Sequence, residues 1–239
     1  MSHSVLHKAA SMQFWPTTVK QSMLAMQRLI HNPNKFRDEL KLMTGKTLLS
    51  AVYAYEVTSL HDPLVEVVVT ALKHISEAAL PGKTKEMIDT PFKWAEDQIH
   101  KGNTSPSVVK TLLSELGNQK DNTLDIVEEI DRIKWATGTL FAGGAGTSVA
   151  SILIFVLAMT LYPEVQSQAR AEIDQAIGKD RLPEMEDRDL LPYIECVMKE
   201  VLGWQSVAPL AVPHVCTEGD EYAGYRIPKG APVFGNVWY

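Results

Sequence analysis

Phe141-Ala142-Gly143-Gly144-Ala145-Gly146-Thr147-Ser148, running on into Val149-Ala150-Ser151-Ile152-Leu153-Ile154-Phe155, decides the fold. No charged residue occurs from Trp135 to Pro163. An uncharged run of that length can cross a bilayer. Its first half, however, is small and glycine-rich, which suits a long helix buried at the centre of a soluble domain better than a transmembrane anchor. The helix is expected from about Thr123 to Leu161. Thr123 is a natural N-cap, and Asp125, Glu128 and Glu129 fall in the early turns, where the helix dipole favours negative charge.

Outward from this run most of the chain has helical periodicity. Val19, Met23, Met26, Leu29 and Ile30 mark a helix over 17–31, stopped by Asn32-Pro33-Asn34. Further helices are expected over 35–56, from Asp62-Pro63 to about Leu80, over 84–101, from Ser105-Pro106 to Leu116, over 164–177, and from Leu190 to about Trp204. After that the pattern turns β-rich: Val212–Thr217, Glu221–Ile227 and Ala231–Trp238, with turns at Gly219-Asp220 and Pro228-Lys229-Gly230. The expected fold class is mainly α, a helical array around one long central helix with a small C-terminal β appendage. It forms a single domain, helical over 1–205 and β-rich over 206–239.

Composition sets outer bounds. Apolar residues make up 45% of 239 and charged residues 22%, enough for a packed core in a soluble domain. The net charge of −6 and the lack of a basic stripe argue against nucleic acid as a partner. Cys196 and Cys216 fit no metal spacing and suit a reducing, cytoplasmic setting as small buried side chains. The start, Met1 to Ala10, is polar and does not look like a signal peptide.

Three stretches, in order, resemble fungal, basidiomycete-type cytochrome P450 monooxygenases. Phe141 to Ser148, with Pro163-Glu164-Val165-Gln166 and Ala171-Glu172-Ile173-Asp174 beyond it, is similar to the oxygen-binding central helix and its successor. Leu191-Pro192-Tyr193-Ile194-Glu195 through Lys199-Glu200-Val201-Leu202 resembles the helix carrying a Glu-x-x-Arg signature. Val212-Pro213-His214 with Tyr225-Arg226-Ile227-Pro228-Lys229-Gly230 resembles the β segment that follows. The resemblance covers nearly all of this chain but about the middle half of a complete family member. It places Gly144, Gly146, Thr147, Glu200, Gly203 and His214 at family-motif positions.

The departures are as specific. The resemblance implies an acid before the central threonine, to pass protons to bound oxygen; here Gly146 stands there. It implies an arginine three residues after Glu200, in a bidentate pair; here Gly203 stands there. The cysteine loop that ligates haem in the family lies past Tyr239. These departures lead to the expectation of a partial cytochrome P450-like protein that carries no haem and does not perform monooxygenation.

Two residue groups offer another chemistry. Trp135, Phe141 and Phe155, with Phe14, Trp15, Phe92, Trp94 and Trp204, either line an apolar cavity for a hydrophobic small molecule or simply pack the core. Asp125, Glu128, Glu129 and Arg132 share one helix face. They form either a tentative Mg2+ site (Asp125, Glu128, Glu129) with Arg132 gripping a diphosphate, or a solvated helix start with one ion pair. Together the groups suggest Mg2+-dependent cyclisation of a prenyl diphosphate, a terpene-synthase-like lyase, with Asp125, Glu129 and Arg132 as catalytic candidates. His214, Glu200 and Asp97 are further acid–base candidates. The alternative is a noncatalytic remnant or a binding protein for a hydrophobic ligand, with oligomerisation covering exposed core.

Overall fold

The computed structural model describes residues 7–57, 62–65, 81–118 and 125–237. Most of the helix expected from Asp62-Pro63 to Leu80 lies outside the described residues, as do Thr123 and Trp238. The chain divides into two compact units, Met1–Val149 and Ala150–Tyr239.

The first unit is helical. After α1 (Lys8–Ser11), α2 (Trp15–His31) and α3 (Phe36–Tyr53) form a helical hairpin around the break at Asn32-Pro33. Arg28 of α2 pairs with the nearly buried Glu39 of α3, which locks the hairpin's inner side. α3 ends on Ala54, whose φ of +57° is left-handed; the Tyr55 N–H reaches back to Leu49 O at 3.1 Å and closes the last turn. α4 (Pro81–His100) and α5 (Val108–Gly117) follow. Ser107 caps α5, its Oγ accepting from Lys110 N at 3.2 Å, two residues later than the Ser105-Pro106 start expected from sequence.

The long helix is α6 (Ile126–Leu161). Ile133, Thr137, Phe141, Ala145 and Val149 recur every four residues, and all are buried. Through this stripe the helix sits against α3, α4 and α5: Phe141 joins Leu49, Tyr53, Phe92, Val109 and Leu112 in one core. Burying each such large side chain contributes about 1.5–3 kcal/mol. Small residues on α6 set the spacing. A Cβ on Gly138 would stand 2.7 Å from Ile88 Cγ1, and one on Gly144 3.2 Å from the Leu48 methyls. The expectation of a helix buried throughout does not hold. Its most apolar 18-residue window is only 17% buried, and by length and composition alone this helix could cross a membrane.

The second unit begins with the end of α6, followed by α7 (Pro163–Ala176) and α8 (Pro192–Trp204). Pro opens both α7 and α8, where its missing N–H costs nothing. Ala158, Met159, Val197 and Val201 form its apolar centre. The four short strands among the described residues make two separate antiparallel pairs. β1 (His214–Val215) pairs with β4 (Pro232–Val233), and β2 (Asp220–Tyr222) with β3 (Tyr225–Ile227). The single strand expected over Glu221–Ile227 is therefore a hairpin. Ala223 and Gly224, at φ of +50° and +81°, make the two-residue turn.

Candidate functional site

On α6, Gly143 and Thr147 lie one turn apart and both are exposed. Nothing stands within 4 Å of where a Cβ on Gly143 would be. Thr147 Oγ1 donates to Gly143 O at 2.6 Å. Gly144 and Gly146 are half-buried beside them. This stretch is thus a helix face of bare backbone and hydroxyl, without a carboxylate, which a flat apolar group can approach closely.

The acidic start of α6 is differently arranged from a metal site. Asp125 Oδ1 accepts from Val127 N at 3.0 Å and Glu128 N at 3.3 Å, so Asp125 is itself the helix cap. Arg132 donates to Glu129 at 2.6 Å and to Glu128 at 2.7 Å. The guanidinium already neutralises both carboxylates, and they in turn raise its pKa, Glu128 most. No group of three His, Cys, Asp or Glu side chains able to hold a metal occurs among the described residues. The Mg2+ expectation is corrected accordingly, and the prenyl-diphosphate reading built on it has no support in this geometry.

The aromatic candidates do not converge. Phe141 is fully buried, edge-on to Tyr53 with ring centroids 5.8 Å apart. Burial holds the Tyr53 phenol above its ordinary range, opposed in part by Thr137. Phe92 is in the same core, and Phe14 and Trp94 pack against it. Trp15 is half-buried, and Trp135 is 44% exposed at the surface. Phe155, 41% exposed, lines a groove between α6, α7 and α8 with Met159, Ile173 and Met198.

In the second unit Glu200 and Gly203 of α8 are both exposed, and a Cβ on Gly203 would meet nothing within 4 Å. Glu200 has no ion-pair partner among the described residues, whereas Glu195, a turn earlier, takes Arg188 at 2.8 Å and Lys199 at 3.6 Å. His214 is exposed in β1 opposite Val233, and Asp97 is exposed on α4. Neither cysteine is the buried side chain expected. Cys196 is exposed on α8, and Cys216 is half-buried just past β1, its Sγ donating to Glu218 O at 2.7 Å.

Two features escaped the sequence reading. Glu172 of α7 accepts the N–H groups of Tyr193 and Ile194 at 2.8 and 3.0 Å, capping α8 from a distant position. Tyr162 and Trp204 meet edge to face at 5.9 Å over a cavity of about 420 Å3 that Glu200 also lines. The second had a signal, the four-residue spacing of Glu200 and Trp204; the first had none, because the partners are far apart in sequence.

A family model described as Cytochrome P450 matches residues 39–239. Cytochrome P450 monooxygenase claR of Ampulloclitocybe clavipes is 35% identical over 97% of this chain and 48% of its own length. Cytochrome P450 monooxygenase 208 of Postia placenta is 35% identical over 89% of this chain and 46% of its own. The chain therefore spans about half the length of the curated relatives it matches. A zebra fish cytochrome P450, in a structure with progesterone, superposes with a TM-score of 0.79 at 20% identity, covering 99% of this chain and 60% of that one. These matches overturn the expectation of a protein without haem. That expectation rested on Gly146, on Gly203 and on the family's cysteine loop lying past Tyr239, but the relatives are P450 monooxygenases, which depend on haem, and this chain spans only about half of their length.

Proposed function

We propose, from the premise that this chain belongs to the cytochrome P450 family, that it forms the central part of a fungal haem-thiolate monooxygenase taking a hydrophobic small molecule. The observation that carries this reading is the exposed Gly143–Thr147 face of α6, open at Gly143. Bound haem supplies one-electron and dioxygen chemistry. This chain's residues contribute close backbone approach at Gly143 and one hydroxyl, Thr147. Gly146 holds no proton where the family places an acid. The Thr147 proton is engaged with Gly143 O at 2.6 Å, and a relay through it must first break that bond. Proton delivery is therefore the weak step of the proposed reaction.

The test is titration of the whole protein, with the half that supplies the family's axial cysteine present, with ferric haem, followed by a panel of apolar ligands, sesquiterpenes and steroids among them. The reading predicts a stoichiometric Soret band that shifts on ligand binding. Failure to take up haem contradicts it. That result would favour the second reading, a noncatalytic P450-derived ligand-binding protein, which Gly203 supports by leaving Glu200 without its customary arginine.

A further inference from the structure

Gly143 and Gly144 are neighbours on α6, yet their surroundings are opposite. A Cβ on Gly143 would meet nothing within 4 Å, whereas one on Gly144 would stand 3.2 Å from each of the two Leu48 methyls and 3.8 Å from Leu48 Cγ. Carbon atoms rest in contact at about 3.5–4.0 Å, so only a glycine hydrogen fits beneath the Leu48 side chain. Leu48 comes from α3 and packs against the buried core that Leu49, Tyr53 and Phe141 share. Further along α3, Tyr53 meets Phe141 edge-on at 5.8 Å. As α3 advances from Leu48 to Tyr53, its contact on α6 retreats from Gly144 to Phe141. Two fixed points therefore hold this part of α6 against both rotation and sliding.

The contact matters because of the atoms to which Gly144 is bonded. The Gly143 carbonyl and the Gly144 nitrogen belong to one planar peptide group, so Gly144 Cα and Gly143 O move together. That oxygen accepts the Thr147 hydroxyl at 2.6 Å. In the α-helical ladder it also takes the Thr147 N–H. Leu48 thus bears on one end of a rigid unit whose other end holds the Thr147 side chain. A close-packed contact transmits a displacement rather than absorbing it. The other notch on α6 does not reach Thr147. A Cβ on Gly138 would lie 2.7 Å from Ile88 Cγ1, but that contact bears on the Thr137–Gly138 peptide, and the Thr137 hydroxyl donates to Ile133 O and Lys134 O at 2.9 and 3.1 Å.

We infer that Leu48 is a positioning residue for Thr147: seated on Gly144, it holds the Gly143–Gly144 peptide and, through it, the orientation of the Thr147 hydroxyl. The contact lies wholly between α3 and α6. Its consequence for proton delivery rests on the monooxygenase reading.

The experiment uses the whole protein that contains this segment and has two readouts. The first is amide hydrogen exchange at Thr147, which needs no haem. Leu48→Ala should speed it about tenfold relative to Ile88→Ala, a cavity-forming change at the other notch that controls for general loosening. Leu48→Met, which conserves volume, should leave it unchanged. The second readout is oxidised product per NADPH consumed by the haem-loaded protein. Leu48→Ala should lower it about threefold or more at unchanged substrate affinity, because a misplaced reacting group costs rate rather than binding. In the Thr147→Val protein the same change at Leu48 should no longer alter the yield. Gly144→Ala, which disturbs the contact from the other side, should act as Leu48→Ala does. The two together should recover part of the loss, the added methyl filling space that the leucine vacates. Thr147 exchange that rises no more in Leu48→Ala than in Ile88→Ala overturns the inference, as does a loss of yield that persists in the Thr147→Val protein. Failure to take up haem refutes the monooxygenase reading instead, and the exchange readout then decides the inference by itself.

Discussion

The hydroxyl of Thr147 donates to the carbonyl of Gly143 at 2.6 Å, on a face of α6 that is turned away from the buried Ile133–Val149 stripe. Back-bonding of this kind uses a carbonyl already engaged in the helix ladder and adds little stability at an exposed site. Thr147→Val should therefore change unfolding free energy by about 0.5 kcal/mol or less, measured by urea denaturation. A loss of several kcal/mol would mean that the hydroxyl has a structural rather than a chemical role.

Two glycines of the same helix should respond to alanine with opposite signs. At Gly138 the new methyl meets the branched Ile88 side chain at 2.7 Å, and overpacking should cost about 1–3 kcal/mol. At Gly143 it meets nothing, and the gain in helix propensity should stabilise by about 0.5–1 kcal/mol. Parallel denaturation curves decide both. If the open face receives substrate, Gly143→Ala also lowers ligand affinity despite its greater stability.

Phe141 should behave as core rather than as pocket. It is fully buried against Tyr53, and Phe141→Ala should cost about 3–5 kcal/mol. Trp135→Ala, at an exposed position, should cost far less. Thermal unfolding of the two variants tests the assignment directly.

The acid limb of the stability curve should carry the signature of one ion pair. Arg181 grips Asp187 through two hydrogen bonds of 2.6 and 2.7 Å, and the Glu184 N–H adds a third at 2.8 Å. Arg181 first, then that N–H, holds the Asp187 carboxyl down at about 2. Because the folded value lies below the unfolded value of about 3.9, the stabilisation is complete above pH 4 or so and is lost as pH falls towards 2. Asp187→Asn should lower the melting temperature at neutral pH and flatten the curve between about pH 4 and 2.

Tyr55 should mark the alkaline limb. Burial, and then the Asp62 carboxylate to which its hydroxyl donates at 2.9 Å, push its phenol up to about 12. The folded value exceeds the unfolded one of about 10, so its contribution is intact below pH 10 and disappears as pH rises through 12. Tyr55→Phe should remove that alkaline dependence in pH-resolved unfolding experiments.

Much of the helical framework was legible because its punctuation is local. Asn32-Pro33 breaks α2 from α3, Pro163 opens α7, and the uncharged run beginning at Trp135 belongs to one long helix. The hairpin at Ala223-Gly224 was missed because alanine seldom adopts positive φ and so did not read as a turn. The same holds for Ala54 at the end of α3. At the acidic start of α6 the sequence left two readings, a metal site or a solvated helix start with an ion pair: spacing puts Glu128, Glu129 and Arg132 on one face, but only geometry shows the arginine consuming both carboxylates. Phe141 illustrates the other gap. Periodicity says that it faces inward, yet not whether it meets a ligand or Tyr53. The haem expectation failed for a different reason: besides Gly146 and Gly203 it leaned on where the sequence ends, and that sequence spans about half the length of its relatives.

Under the proposed monooxygenase reading, proton delivery along α6 is weakened at Gly146 and rests on Thr147. The most direct measurement is the yield of oxidised product per NADPH consumed, with the whole haem-loaded protein that contains this segment, an electron-donating reductase and a bound apolar substrate. The account predicts a low yield with peroxide released, raised several-fold by Gly146→Asp with little change in substrate affinity. A high yield from the unaltered protein, or one that Gly146→Asp does not improve, would contradict it.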